Sequence, residues 1–564
     1  MPRNFHVPLR RAAAIFGLVL CLLLLANAAP RSFSGMNEIA YAQAPQAPAA
    51  APVLTVNLNQ TRGKIDANAF GVIVGNKSMR VPEQTYFYRS ADGNQDLKNL
   101  GVHNLYYWVD RDDWENPYDS FTAEPVSPAT VLYVDEFLAV SQALGADPMI
   151  SVNITHLCAR DNQNLPYSIA NVKCNMATKE DAKDFLAHIK AIGVPKVKYV
   201  FLGVEPYAGC AYWIEGINCV TRIGEHKIQL TQQEYAKRVK TWTKALRQVD
   251  PKIQVGLQLI PNAFICKSDC KGVSWDETVL KKVGNQIDFV VTHQYFQVDT
   301  AVPDEATAQR YSYYQNQTDI RVDKQGKTAM PKTIRQELTQ WLPARKNLPI
   351  FVGEFNASRT NGNDNSFAIA TRMSLYAGFG LVEGYLDSIS PVTLNGVRYP
   401  GAARLVLLNL SSLPVMLAHY LPLDNPTTLV KAPAWHMMAA LNELQSKTWI
   451  TAKVKKNPKT PAGRAALRAY AVKNNKQVWL VVLNHSANTA YTMNVNLVGA
   501  RPLSATMTVI GDTAAGFLTQ NTPDNPAAIM PVTSAVPPGK IKADRLEGIT
   551  FPAHSMTVIK LHGN

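Results

Sequence analysis

The sequence predicts a parallel (β/α)8 barrel followed by an antiparallel β-sandwich. Three observations predict it: eight short apolar runs separated by helical patterns over residues 62–430, a switch to β-type runs without crossover helices after about residue 430, and a glutamate where two of the eight runs break off. The runs are Phe70 to Gly75, Val102 to Trp108, Pro148 to Asn153, Val197 to Gly203, Ile253 to Leu259, Ile287 to Thr292, Pro349 to Gly353 and Glu383 to Ile389. Each is nearly continuous in apolar residues, as a strand buried on both faces requires.

The segments between them carry helix start and stop signals. Thr178 stands three residues before Asp181, ahead of Ala182, Phe185, Leu186 and Ile189 at helical spacing, and Gly193 stops the helix. Thr231 and Glu234 make the same capping box ahead of Tyr235, Val239, Trp242 and Leu246.

Residues 431–564 open on a helix, Ala434 to Leu444, and continue as Ala469 to Val472, Val478 to Leu483, Tyr491 to Leu497, Ala505 to Val509 and Met556 to Leu561, with turn residues between them. Short strands joined by turns form a sandwich. The strand-like Val53 to Leu58, ahead of the barrel, is a candidate to pair with it.

Residues 1–42 have the parts of a secretory signal: Arg3, Arg10 and Arg11, an apolar run from Ala12 to Ala29, and Ala40-Tyr41-Ala42 as a cleavage site. An uncleaved membrane anchor is the competing reading, since the run approaches spanning length. Cleavage implies a secreted, periplasmic or cell-surface protein with no stable membrane insertion. Residues 43–61 then form an Ala/Pro/Gln tether and the first strand. Removal of the signal takes away Cys21 and leaves six cysteines, an even number suited to an oxidising compartment. Proximity pairs Cys158 with Cys174, Cys210 with Cys219, and Cys266 with Cys270, among fifteen pairings that six cysteines allow. Neither close Cys-x-x-Cys pairs nor a Cys/His set is present, so no metal site is expected.

The chain carries a formal charge of +14, and loss of Arg3, Arg10, Arg11 and Arg31 against Glu38 leaves about +11. Such a balance favours anionic surroundings. No stretch interleaves Lys and Arg with aromatics as a nucleic-acid groove does, so the charge reads as a solvated surface and no nucleic-acid partner is expected.

In a parallel barrel the chemistry sits at the C-terminal ends of the strands. The fourth run ends in Gly203-Val204-Glu205-Pro206-Tyr207 and the seventh in Gly353-Glu354-Phe355-Asn356. A retaining glycosidase needs two such carboxyl groups, one to protonate the leaving oxygen and one to attack the anomeric carbon, and needs no cofactor. A lone glutamate there would equally suit a nearby helix N-terminus; the pair is the stronger signal. The sixth run continues into Thr292-His293-Gln294-Tyr295, where His293 and Tyr295 are placed to orient a carboxylate; a buried structural histidine is the plainer reading of the first. Aromatics that sugars stack on crowd the same ends: Tyr106, Tyr107, Trp108 and Trp114 after the second run, Tyr207, Tyr212 and Trp213 after the fourth, and Tyr311, Tyr313 and Tyr314 after the sixth.

At these residues the chain resembles glycoside hydrolase clan A, in particular families 51, 39 and 44, which include α-L-arabinofuranosidases, β-xylosidases and endoglucanases. The similar segments are DEFLAVSQALGADPMISVN, LTQQEYAKRVKTWTKALRQVDPKIQVG, VVTHQYF, IFVGEFNAS and APAWHMMAALNEL, and the resemblance covers most of residues 53–564. It implies a polysaccharide or oligosaccharide substrate, with Glu205 as acid/base, Glu354 as nucleophile, and His293 and Tyr295 as orienting or subsite residues; Trp108, Tyr207, Trp213 and Asn356, at the same strand ends, are further candidates to bind the sugar. One position departs. The clan places an asparagine before the acid/base to bond the sugar 2-hydroxyl, and this chain has Val204. Asn153, at the end of the third run, is the candidate to replace it. If nothing replaces it, the alternatives are a catalytically weak carbohydrate-binding protein or a transglycosylase.

Overall fold

The computed structural model describes residues 51–563 except 76–81, 109–131, 153, 155, 161–171, 205, 207–212, 215–216, 219–221, 224–225, 228–229, 261–274, 299–329, 360–372, 409, 411–416, 422–427, 461–464, 487 and 512–515. Eight parallel strands close into a barrel in chain order: Phe70–Gly75, Asn104–Trp108, Asp147–Val152, Tyr199–Leu202, Gln254–Gln258, Phe289–Val298, Ile350–Arg359 and Arg404–Leu407. The last pairs back onto the first, Leu405 opposite Phe70 and Leu407 opposite Val72.

Continuous apolar strands follow from this closure, because both faces are covered. Ile73, Tyr106, Met149, Phe201, Phe289, Val291, Phe351 and Val406 point inward and fill the barrel. Their neighbours Val72, Leu105, Tyr107, Ile150, Leu202 and Val352 point outward into the helix layer. Each such side chain contributes roughly 1.5–3 kcal/mol on burial. Both capping boxes form as the sequence predicts: Asp181 N donates to Thr178 Oγ1 and Glu234 N to Thr231 Oγ1, each at 3.2 Å. Gly193 ends the first of these helices in the left-handed region.

The N-terminal end of the barrel is sealed by an ion pair among aromatics. Arg404 reaches Asp147 at 2.8 Å and lies 4.1 Å over the Tyr199 ring, and Asn68 Nδ2 donates to the same Asp147 carboxylate at 2.7 Å. Seven of the eight predicted strands are found. The eighth is corrected: Glu383 to Ile389 belongs to the helix Leu375–Ile389, capped by Ser374, and the eighth strand is Arg404–Leu407. The helix is buried on nearly every side, so it shows no apolar stripe, and its last turns carry the same apolar run as a buried strand.

The C-terminal region is a curled nine-stranded sheet in the order Val532–Ala535, Pro502–Gly511, Ser555–Gly563, Gln477–Asn484, Leu467–Lys473, Thr448–Lys455, Val53–Lys64, Tyr491–Val498 and Arg545–Phe551. All five predicted strands are present, and Val53–Lys64 does join them. It runs antiparallel to Thr448–Lys455 but parallel to Tyr491–Val498, so the sheet is mixed rather than wholly antiparallel. A strand arriving from the far end of the chain is not tied by a hairpin to oppose both neighbours. Alternate residues divide between two cores. Leu54, Val56, Ile450, Leu480, Val482 and Val495 fill the sheet's own interior, while Trp449, Tyr470, Val472 and Trp479 pack into the core shared with the barrel.

Polar contacts also cross this junction. Arg468 reaches Glu383 at 3.1 Å and Asp387 at 2.6 Å, and Tyr470 Oη donates to Asp387 at 2.8 Å. Among the described residues no helix is long and apolar enough to cross a membrane.

Candidate active site

The C-terminal ends of the sixth and seventh strands build the part of the site that is described. Their ladder runs in simple register from Val290 opposite Ile350 to Thr292 opposite Val352, then skips one residue, so that His293 faces Glu354. Gly353 is the extra residue of this bulge. A Cβ there would stand 2.9 Å from Val291 Cγ1 and 3.4 Å from His293 Nε2, so only glycine lets the two strands approach at this point. The bulge re-aims the seventh strand just where the apolar run ends.

The result is a carboxylate held against an imidazole in near-complete burial. Glu354 Oε2 lies 3.2 Å from His293 Nδ1, and the residues are 5 % and 3 % exposed. The imidazole is placed to donate its Nδ1 proton to the carboxylate, fixing the carboxylate's rotamer and its second oxygen's direction. Two residues on, Asn356 is fully buried and its Nδ2 donates to Leu408 O at 3.0 Å, tying the seventh strand to the end of the eighth. Tyr295 faces Asn356 across the ladder by backbone register; its side chain lies outside the described residues.

The fourth strand supplies the opposite wall up to the residue before its glutamate. Gly203 takes a left-handed conformation, φ 77°, and its N–H donates to Val152 O at 2.9 Å, turning the chain out of the strand. Val204 is half-buried and Pro206 buried, with Leu230 N donating to Pro206 O at 3.2 Å. Glu205, Asn153 and Tyr207 lie outside the described residues. Trp108 ends the second strand and Trp213 opens the two-residue strand Trp213–Ile214, but the side chains of both are likewise outside them.

Two of the aromatics have other work. Tyr106 faces the barrel interior, its ring centroid 4.5 Å from that of Phe201, and Tyr107 faces the helices, its hydroxyl donating to Leu132 O at 2.9 Å. They are core residues. The hairpin after the third strand pairs His156–Arg160 with Val172–Met176 and sets Cys158 directly opposite Cys174.

The bulge and the Asn356 tie escaped sequence reasoning. A glycine before a strand-end glutamate was the available signal for the first; the second has none, because its acceptor is a backbone carbonyl.

No family model matches the chain, and no curated protein matches it by sequence. Solved structures do. An α-L-arabinofuranosidase from Thermotoga maritima in complex with arabinose aligns over 91 % of this chain and 100 % of its own, at TM-score 0.61 and 17 % identity. A family 51 α-L-arabinofuranosidase from Bifidobacterium longum aligns over 91 % and 99 %, at 0.64 and 14 %. A family 44 xyloglucanase from Paenibacillus polymyxa, solved with xyloglucan, aligns over 91 % and 100 %, at 0.59 and 12 %. The fold implied by the resemblance to clan A is the fold observed.

Proposed function

We propose that the protein is a retaining glycoside hydrolase, with Glu354 as the nucleophile and Glu205 as the acid/base. The observation that carries this reading is the buried Glu354–His293 pair at the C-terminal end of a (β/α)8 barrel whose solved counterparts include arabinofuranosidases and a xyloglucanase. A nucleophilic carboxylate must be held in one direction, and His293 is placed to hold it. Attack by Glu354 on the anomeric carbon breaks the glycosidic bond as Glu205 protonates the departing oxygen. Water, deprotonated by the same Glu205, then releases the sugar from Glu354.

The substrate is a polysaccharide or oligosaccharide, met outside the cytoplasm after removal of residues 1–42. The direct register of Cys158 and Cys174 supports a disulfide between them in that compartment. Aryl α-L-arabinofuranosides, aryl β-xylosides and xyloglucan are the substrates to test first. Glu354→Ala should abolish their hydrolysis, and azide should restore turnover with an azide adduct of inverted configuration. Glu205→Ala should spare substrates with good leaving groups. Full activity of Glu354→Ala on any of these substrates, or of Glu205→Ala on xyloglucan, whose leaving group needs protonation, removes that residue from the mechanism.

A further inference from the structure

We propose that the C-terminal sheet carries a second glycan site, specific for carboxylated sugars, away from the barrel mouth. At one end of four adjacent strands, the turn joining Leu467–Lys473 to Gln477–Asn484 faces the start of Pro502–Gly511 and the end of Ser555–Gly563. Between them lies a groove of about 800 Å3 lined by Asn474, Asn475, Lys476, Gln477, Leu503 and His562. A narrower recess beside it adds Arg501.

The lining has the components of sugar recognition. Leu503 is 75 % exposed, the most exposed large apolar side chain among the described residues, and offers an apolar contact for the C–H face of a sugar ring. Asn474 Oδ1 already accepts from the N–H groups of Lys476 and Gln477, at 2.9 and 2.8 Å, which fixes the turn and leaves its amide N–H groups to donate outward. The Gln477 amide bonds His562 Nδ1 at 3.1 Å, leaving the other ring nitrogen for a ligand. Lys476 and Arg501 supply two cations, and no Asp or Glu lines either recess. Amide donors suit hydroxyls, and a lysine in the groove with an arginine in the adjoining recess suits a carboxylate, so a uronic acid unit satisfies the whole set. The excess of 57 basic over 43 acidic residues points to the same class of polymer.

The test measures retention of the full chain by affinity electrophoresis on polygalacturonate, on its fully methyl-esterified form and on neutral arabinan. Glu354→Gln serves as background, so that hydrolysis does not interfere. Polygalacturonate should retard the protein at least tenfold more than the other two. Lys476→Glu with Arg501→Glu should remove that retardation, and Leu503→Ser should weaken it severalfold. A charge-matched control, Lys240→Glu with Lys252→Glu on the barrel side, should change it little. Equal retardation on the esterified polymer, an unaffected Lys476/Arg501 variant, or an equal loss in the control would overturn the proposal. Hydrolysis of aryl glycosides is read separately, so the site stands or falls independently of the barrel's activity.

Discussion

At the scale of single residues, the role proposed for Glu354 depends on what surrounds it. His293→Ala leaves the carboxylate without its orienting partner, and a misplacement of about 1 Å costs on the order of 100-fold in kcat. KM should move far less, which aryl glycoside kinetics will read. Gly353→Ala pushes a methyl against Val291 and His293; overpacking of this kind costs roughly 1–3 kcal/mol, visible as a lowered Tm, and activity should fall with it. Val204 tests the departure from the clan pattern. If only a hydrogen bond to the 2-hydroxyl is missing, Val204→Asn gains about 1.5–3 kcal/mol in the transition state, a rise in kcat/KM of roughly ten-fold to a hundred-fold. The gain should vanish on 2-deoxy substrates, and a fall on both would mean a pocket rebuilt around valine. The strand-end positions of Glu354 and His293 were legible because an apolar run breaks off at each, although either residue alone also admits a structural reading. The bulge that brings them together was not legible, since register depends on a partner strand some sixty residues away in sequence.

At the scale of elements, legibility followed how far a segment's pattern differs from its alternatives. The capped helices after Thr178 and Thr231 announce themselves through side-chain oxygens at fixed spacing. The helix Leu375–Ile389 does not, because burial all round erases the stripe that separates helix from strand. Thr448–Lys455, Val532–Ala535 and Arg545–Phe551 escaped for the opposite reason: half-exposed or edge strands admit polar residues and, at Gly548, a glycine. The helix Pro433–Ala440 carries a pH dependence of its own. Burial, aided by the nearby Lys431 charge, pushes the His436 imidazole down to about 4. The unfolded chain binds a proton at about 6.5, so acidification through the window from 6.5 to 4 favours unfolding. The loss approaches roughly 3 kcal/mol at the bottom of that window. Denaturant midpoints measured across it should fall with pH, and His436→Asn should flatten the curve.

At the scale of the whole molecule, the barrel and the curled sheet are joined by charge as well as by apolar packing. Arg468→Met takes the cation away from the buried Glu383 and from Asp387, which keeps the Tyr470 hydroxyl, and loss of one partner from such a network costs roughly 1–3 kcal/mol. Burial already pushes the Asp387 carboxyl above its usual range, with Arg468 pulling it back. A carboxyl raised in the native state is least costly when protonated, so the variant's deficit relative to the wild type should shrink as pH falls toward 4, which paired thermal melts at several pH values will show. The place of Val53–Lys64 has a further consequence, for the order of assembly. This strand leaves the ribosome first, yet both its neighbours come from the last quarter of the chain. The sheet therefore stays open through synthesis of the entire barrel, and its closure joins the two ends of the protein in one late step. A chain from which residues 53–64 are deleted should be aggregation-prone, with two unsatisfied strand edges and a gap where Leu54 and Val56 belong. A synthetic peptide of residues 53–64, added in trans, should rescue that chain as a donated strand.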